Sequence, residues 1–330
     1  MSKVFSNLNS IFTKYNKSIV NNNTNSNQKF LVYSIERSKM IKGSHYVGGL
    51  ADRIKGLISV FYISILTGRR FTIHWDNPLD ILEGFQPNKY DWKFSNAEKF
   101  IKNKSRFLHL DYIGRGDALN DLNYRKIEKD LFKGEDVVIM NANSFCVDAM
   151  SAYIKKEFGG MCWYGQYFNE AFEFLFKFAT LDQFSSSRLK FDDFKVGADL
   201  VVAVHLRTGA GNGWKDPILD EWENYELILE RAFSLARAHD ATKPVFYFVS
   251  DSLEARNAVA AKKWEFPIFV EQEGTSHLDR SAGINDSNHH RTFFEFQLLG
   301  EADMVVCGQG GFAQMAALSR GKKYFRYKDT

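Results

Sequence analysis

Short apolar runs alternate with amphipathic helical patterns through the second half of the sequence. Strands are predicted at 200–206, 245–249, 268–270 and 304–307, and helices at 222–239, 253–263, 291–300 and 312–319. Buried strands separated by helices form parallel sheets with right-handed crossovers. The pattern therefore predicts an α/β fold in which several strands end at one edge of a sheet.

The first half repeats this arrangement less regularly. A strand is predicted at 30–35 and another at 71–75, and a helix that ends at Gly68 separates them. Later elements are a strand at 137–140 and a helix at 164–178. The weakly periodic stretch between them contributes three aromatic residues that we expect in the core: Trp92, Phe100 and Phe107.

A chain of 330 residues exceeds what one core usually holds, so two domains are expected. The composition turns polar near 184–188, which places the predicted boundary between a domain at 30–185 and a domain at 186–330. Residues 1–29 end in an Asn-rich run and are predicted to be a flexible leader.

Charge and cysteine content exclude several classes of protein. With 43 basic and 40 acidic residues the net charge is +3, and the basic residues are scattered, so nucleic acid is not an expected partner. The three cysteines contain no CxxC pair, which argues against a disulfide framework or a zinc site. The group His277, Asp279, His289 and His290 fits no familiar metal spacing, so no metal is expected.

The sequence shows neither a membrane-spanning segment nor a targeting signal. The longest apolar run, at 57–66, is shorter than the roughly 20 residues that span a bilayer, so no transmembrane segment is expected. The first residues do not read as a signal peptide, and the few cysteines favour a cytoplasmic location.

A glycine-rich polar segment follows the first strand of the second half. His205 and Arg207 alternate along the end of this strand, so both side chains point to one face. Gly209, Gly211 and Gly213 allow a ligand to approach the backbone closely. The planar fork of arginine suits a diphosphate. The segment predicts an anion site at the carboxyl end of the strand, where open α/β sheets bind their ligands.

Two further glycine-bearing loops strengthen this prediction. Gly48 and Gly49 precede the first long helix, while Gly310 and Gly311 precede the helix at 312–319, and backbone N–H groups at such places bind phosphates. Asp251 follows the strand at 245–249 and is a candidate at the same edge. A nucleotide or phosphorylated ligand is predicted, against the alternative of ordinary glycine-rich turns with a surface arginine.

Motif absences narrow the chemistry further. The sequence lacks a GxGxxG fingerprint after its first strand, a GxxxxGK[ST] loop and a GxSxG elbow, which disfavours dehydrogenases, P-loop NTPases and hydrolases of that type. Group transfer remains, with a carboxylate as general base. The candidates after the Arg207 loop are Asp216, Asp220, Glu221 and Glu223, and the alternative is that they are ordinary acids at a helix N-terminus.

Three sequence blocks resemble a known family. Residues 204–209 followed by Trp214 resemble the HxRxG-type motif of the metal-independent GDP-fucose fucosyltransferases, which include the α1,6-, plant xyloglucan, nodulation and protein-O-fucosyltransferase groups. Residues 48–53 with 67–70 look like the N-terminal block of that family. Residues 281–283 and 295–307 look like its C-terminal block.

The resemblance implies a GT-B fold, with two Rossmann-like domains whose parallel sheets face each other across a cleft. The domain at 186–330 would bind the nucleotide-sugar donor, and the domain at 30–185 would lie on the acceptor side. The resemblance also implies an inverting reaction that moves fucose from GDP-fucose to a glycan or protein hydroxyl, without a metal or a further cofactor.

Site residues are carried over by matching positions. Arg207 would hold the donor diphosphate and act in catalysis, and Asp216, nine residues before Tyr225, would be the base. Glu295 would face the guanine. The remaining donor-binding candidates are His205, Gly209, Asp251, Gly310, Gly311, Gly49 and Arg53.

Two departures from the family pattern concern donor contacts. Asp52 stands where several members have Asn, and Gly310 and Gly311 replace a common serine pair.

Two alternatives to this function stay open. The first alternative is a GT-B transferase that uses another nucleotide sugar. The second is a non-catalytic glycan-binding protein that retains the fold.

Overall fold

The computed structural model describes residues 2–21, 28–35, 48–113, 115, 118, 126–144, 164–209, 220–271, 278 and 286–328. Its helices are α1 Ser2–Asn21, α2 Leu50–Thr67, α3 Phe94–Lys102, α4 Tyr164–Leu175, α5 Ser185–Phe194, α6 Tyr225–Ala238, α7 Leu253–Ala261, α8 Asp286–Glu301 and α9 Phe312–Ser319. Its strands are β1 Phe30–Ile35, β2 Arg70–Trp75, β3 Phe85–Pro87, β4 Phe107–Tyr112, β5 Val137–Ala142, β6 Phe176–Phe178, β7 Leu200–Leu206, β8 Pro244–Ser250, β9 Ile268–Val270, β10 Met304–Cys307 and β11 Lys323–Arg326. None of these helices is both long and apolar enough to cross a bilayer.

The chain divides into two compact units. The main division falls after Lys177, some residues before the boundary predicted at 185. Two short segments of the first half, Gly49–Ala51 and Leu82–Gly84, belong to the second unit. Composition alone does not predict that these two segments belong to the second unit, because that depends on their contacts in the fold.

The second unit is built on a five-stranded sheet in the order β11-β10-β7-β8-β9, and every pairing in it is parallel. The central strand β7 is almost wholly buried because its apolar residues face helices on both sides. One core lies between the sheet and α6, where Val204, Phe233 and Phe246 are buried together. The parallel order brings the ends of β7, β8 and β10 to one edge, as the alternating pattern predicts, and β11, which the pattern does not predict, ends there too.

The first unit contains a four-stranded parallel sheet in the order β2-β1-β5-β4. Helix α2 packs very closely on this sheet at Gly56. A Cβ atom added at Gly56 would lie 1.8 Å from the carbonyl oxygen of Ala142, so only glycine permits this approach. The helix ends at Gly68, whose φ of 65° supplies the left-handed cap expected from the sequence.

The predicted flexible leader is wrong for its first part. Residues Ser2–Asn21 form α1, and Phe12 and Tyr15 are buried in the first unit. The Tyr15 hydroxyl donates to the carbonyl of Arg69 at 2.7 Å and accepts from the amide of Phe71 at 2.9 Å. The weak amphipathic pattern is enough for a helix because tertiary packing stabilises it. The Asn-rich run at 22–27 lies outside the described residues.

Two other expectations need correction. Phe100 and Phe107 are 45% and 42% exposed, whereas Trp92 is fully buried as predicted. Phe107 starts β4, which is an edge strand of the first sheet, so alternate residues point away from the core. The helix predicted at 164–178 stops at Leu175 because Phe176–Phe178 pairs with β3.

Candidate functional site

The candidate site lies at the carboxyl edge of the second sheet. His205 and Arg207 stand at the end of β7, Asp251 follows β8, and a glycine-rich turn, Gly308 to Gly311, follows β10. These strands are neighbours in the sheet, with His205 paired to Val249 on one side and to Cys307 on the other. The topology therefore brings together residues that are far apart in the sequence.

The turn after β7 is fixed by Asp251. One carboxylate oxygen of Asp251 accepts from the Thr208 amide at 2.7 Å and from its hydroxyl at 3.0 Å, and the other accepts from the Gly209 amide at 3.0 Å. Gly209 has a φ of 81°, which favours glycine. Both oxygens of Asp251 thus hold the turn that follows Arg207, and its predicted contact with the donor stays a prediction.

Arg207 lies directly against the turn after β10. A Cβ atom added at Gly310 would approach the Arg207 Cδ to 3.0 Å, and Gly310 has a φ of 94°. A side chain at this position would therefore be strained and would crowd the arginine. Gly311 caps the N-terminus of α9. A guanidinium beside a helix N-terminus provides a positive group and backbone donors together, which is the chemistry of an anion site.

His205 is buried beside this arginine and is uncharged at neutral pH. Burial, together with the positive charges of Arg207 and Arg256, lowers its pKa from 6.5 to about 3, and the negative charge of Asp220 opposes that shift. Its ring lies 5.5 Å from the ring of Phe312, at the first residue of α9. His205 therefore brings a neutral polar ring to the site, and the positive charge there comes from arginine.

The depressed pKa of His205 predicts how stability depends on pH. Between about pH 6.5 and pH 3 the unfolded chain binds a proton at this position and the folded chain does not. The contribution of His205 therefore lowers the free energy of unfolding as the pH falls through this window, by at most about 1.4 kcal/mol per pH unit. Above the window His205 does not make the free energy of unfolding depend on pH. Urea denaturation of the wild type and of His205→Gln at several pH values measures the difference. Identical slopes below pH 6 would contradict the assignment.

Glu295, for which the resemblance implies a contact with guanine, belongs to a buried ion network. Its side chain is 0% exposed and accepts from Arg256 at 2.9 and 3.1 Å and from Arg291 at 3.3 Å. Burial raises the pKa of Glu295, and the two guanidinium groups oppose that shift. Arg256 also donates to the carbonyls of Ser250 and Glu271. The network fixes the end of β8 through the bond from Arg256 to the Ser250 carbonyl, and the guanine contact of Glu295 stays a prediction.

Arg53 is also buried, and its predicted donor contact stays a prediction. Its Nε donates to the carbonyl of Gly48 at 2.9 Å, one of its terminal nitrogens donates to the carbonyl of Asn77, and its guanidinium lies 5.3 Å from the centre of the Trp75 ring. Arg53 holds the loop before α2. Gly49 lies at the start of that helix and stays a candidate donor contact.

Asp220 is an acid whose role the sequence does not reveal. Its carboxylate is buried and accepts from the Gln309 amide at 2.9 Å, the Tyr327 hydroxyl at 2.9 Å and the Lys328 ammonium at 2.8 Å. In the sequence Asp220 is one of the candidate general bases, because nothing in a single sequence shows that residue 220 contacts residues 309, 327 and 328. That contact follows from the strand order β11-β10-β7.

Several predicted residues lie outside the described residues. They are Asp216, Gly211, Gly213, Trp214, His277, Asp279 and the block 281–283. His290 is described, and its Nε2 lies 2.5 Å from a carboxylate oxygen of Glu83. Within the described ranges no group of three or more His, Cys, Asp or Glu side chains is arranged to hold a metal ion.

Comparison with known proteins gives matches in structure only. No protein-family model matches the chain, and no curated protein matches it by sequence. Arabidopsis thaliana FUT1, as an arginine-to-lysine variant in complex with GDP, matches with a TM-score of 0.57 at 15% identity, over 99% of this chain and 79% of that one. POFUT1 in complex with GDP-fucose matches with a TM-score of 0.52 at 12% identity, over 92% and 98%.

A third match, fucosyltransferase NodZ from Bradyrhizobium, has a TM-score of 0.46 at 13% identity, over 88% of this chain and 92% of that one. The FUT1 and POFUT1 matches cover nearly the whole chain, and both agree with its two parallel α/β units. The chain therefore has the GT-B fold of the fucosyltransferases that it resembles.

Proposed function

We propose that this chain is an inverting, metal-independent glycosyltransferase that moves fucose from GDP-fucose to a hydroxyl group of a glycan or protein. The observation that carries the proposal is the packing of Arg207 against Gly310, immediately before the N-terminus of α9. The fold supports it, because one structure that shares this fold holds GDP and another holds GDP-fucose.

Arg207 would stabilise the departing GDP. In the reaction the acceptor oxygen forms a bond to C1 of fucose while the bond from C1 to the phosphate oxygen breaks, and negative charge develops on the diphosphate. A planar guanidinium binds two of these oxygens at once, and the N–H groups at the start of α9 add further donors. These groups supply the positive potential that a divalent cation supplies in metal-dependent transferases.

The acceptor proton needs a base in the same site. We assign this role to Asp216, because it follows the Arg207 turn and precedes Tyr225 by nine residues. Direct displacement from the side opposite GDP gives inversion at C1, so a single carboxylate suffices. The described alternative, Asp220, already holds neighbouring loops through its hydrogen bonds.

A thermal-shift panel of GDP, GDP-fucose, UDP-sugars and dTDP-sugars tests the donor. The two guanine nucleotides should stabilise the protein by about 2.7 kcal/mol when present at about a hundred times their Kd, and the others should not. Stabilisation by a UDP- or dTDP-sugar alone would indicate another donor. Stabilisation by none of them would favour the non-catalytic glycan-binding protein.

Metal independence is tested separately by calorimetry of GDP binding in excess EDTA and in excess Mg²⁺. Equal dissociation constants are expected, because the proposed diphosphate site uses an arginine and backbone N–H groups. Binding that disappears in EDTA would contradict the proposal. Once an acceptor is identified, the anomeric configuration of the product determines whether the reaction inverts.

A further inference from the structure

Asp220 is a buried carboxylate that joins three segments at the carboxyl edge of the second sheet. Its side chain is fully buried, and its hydrogen bonds reach Gln309 after β10 and Tyr327 and Lys328 after β11. Asp220 itself lies shortly before α6. A charged group is costly to bury unless it is paired and hydrogen-bonded, and here both conditions are met.

The turn after β10 is shaped around this carboxylate. Gly308 donates its amide to the carbonyl of His205 at 2.9 Å, and a Cβ atom added at Gly308 would lie 2.3 Å from Oδ2 of Asp220. The next residue, Gln309, donates its amide to that same oxygen. The turn is therefore held by β7 on one side and by Asp220 on the other, with no space for a side chain at residue 308.

The same turn carries the anion site. Gly310 packs on the Arg207 side chain and Gly311 caps α9, so the two residues after Gln309 determine where the helix N-terminus lies relative to the guanidinium. A shift of Gln309 would move both. The distance between a bound diphosphate and its donors is sensitive to such shifts, because hydrogen bonds weaken steeply outside their narrow range of distance and angle.

We infer that Asp220 is a positioning residue for the donor diphosphate: through Gln309 it holds the turn at 308–311 so that Arg207 and the N-terminus of α9 converge on one anion. The inference rests on the proposed function, since it assumes that Arg207 binds the diphosphate of GDP. It also separates Asp220 from a general base, because its buried oxygens accept from three described donors of the protein itself.

The test compares binding of GDP and of guanosine to the full chain, with and without Asp220→Asn. Asparagine has one acceptor oxygen and no charge, so it cannot accept from Gln309 on one side and from Tyr327 and Lys328 on the other, and the turn loses part of its anchor in either orientation of the amide. We expect the Kd of GDP to rise about tenfold, the effect of losing about one charged hydrogen bond, while the Kd of guanosine changes less than about twofold. A change confined to the phosphate-bearing ligand is what a positioning role for the diphosphate site requires.

Asp199, at the amino end of β7, provides a control at the edge of the sheet opposite the candidate site. Asp199 precedes β7 and accepts from the Thr242 amide and hydroxyl and from the Lys243 amide, at 2.7 to 3.0 Å. Asp199→Asn therefore makes the same chemical change at an exposed aspartate that also accepts several hydrogen bonds, at the amino edge of the sheet. We expect it to lower the Tm and to leave the Kd of GDP at the wild-type value.

The outcomes distinguish this inference from the proposed function. Wild-type protein that does not bind GDP would overturn both. Wild-type protein that binds GDP, with an Asp220→Asn variant that binds it equally well, would overturn the inference alone, as would an equal loss for GDP and guanosine. If Asp220→Asn does not fold, Gly308→Ala displaces the turn from Asp220, because the added Cβ would lie 2.3 Å from its Oδ2. An unchanged GDP to guanosine ratio in that variant would overturn the inference.

Discussion

Replacing Arg207 with alanine is expected to weaken GDP binding by about a hundredfold. A bidentate hydrogen bond between guanidinium and phosphate stabilises by about 1.5–3 kcal/mol, and each 1.4 kcal/mol corresponds to a tenfold change in Kd. Arg207 stands half-buried against Gly310, next to the N-terminus of α9, where water screens its charge incompletely. Turnover of GDP-fucose should fall further, by about 10² to 10³, because charge on the diphosphate increases in the transition state.

Arg207→Lys separates charge from geometry in the same experiment. Lysine keeps the positive charge but offers no planar fork, so its GDP affinity should fall between the wild type and the alanine variant. Arg237→Ala is the control, since Arg237 forms an exposed ion pair with Glu265 near the end of α6 and should leave GDP binding unchanged. Calorimetry that finds the same Kd for the wild type and Arg207→Ala would remove the basis for the donor site.

Replacing Glu295 with alanine is expected to destabilise the second unit by about 3–5 kcal/mol. The substitution leaves the guanidinium groups of Arg256 and Arg291 buried without their shared carboxylate, and unpaired buried charges cost about that much. Arg291 retains Glu271 at 2.9 Å, but Arg256 keeps only the backbone carbonyls of Ser250 and Glu271. The midpoint of guanidinium denaturation and the denaturant slope measure the loss.

An exposed ion pair provides the comparison for this effect. Glu226 pairs with Lys262 at 2.8 Å on the surface of the same unit, and Glu226→Ala should change the free energy of unfolding by less than about 1 kcal/mol. A Glu295→Ala variant that is as stable as Glu226→Ala would show that the buried network contributes little. Retained stability together with lost GDP binding would instead support the guanine contact that the family resemblance implies for Glu295.

The elements that carry the anion site could be predicted from the sequence. Strands β7 and β10 are short runs of β-branched and apolar residues, and glycines follow each of them, so Arg207 and Gly310 were both placed at a sheet edge. Helix α9 was predicted with the bounds that the structure shows. The strand β11 was missed because Lys323–Arg326 is an edge strand with charged ends and no apolar run.

The partners of the buried charges could not be predicted. The sequence predicts donor contacts for Asp251, Glu295 and Arg53 but not the hydrogen bonds that each of them forms with the protein itself. A polar residue near a glycine-rich loop has the same appearance in the sequence whether it faces a ligand or supports the loop. The difference depends on strand order and on burial, and charged residues are so rarely buried that pattern reasoning places them at the surface.

Helix α1 has a consequence for how the first unit is synthesised. The ring of Phe12 lies 4.8 Å from that of Phe174 in α4, although these residues stand near opposite ends of the unit in sequence. Helix α1 therefore leaves the ribosome well before α4, and the part of its apolar face that packs on Phe174 stays uncovered until α4 has been synthesised. Contacts so distant in sequence make folding slow and leave hydrophobic surface exposed meanwhile. We expect the nascent chain to depend on chaperones until α4 has emerged.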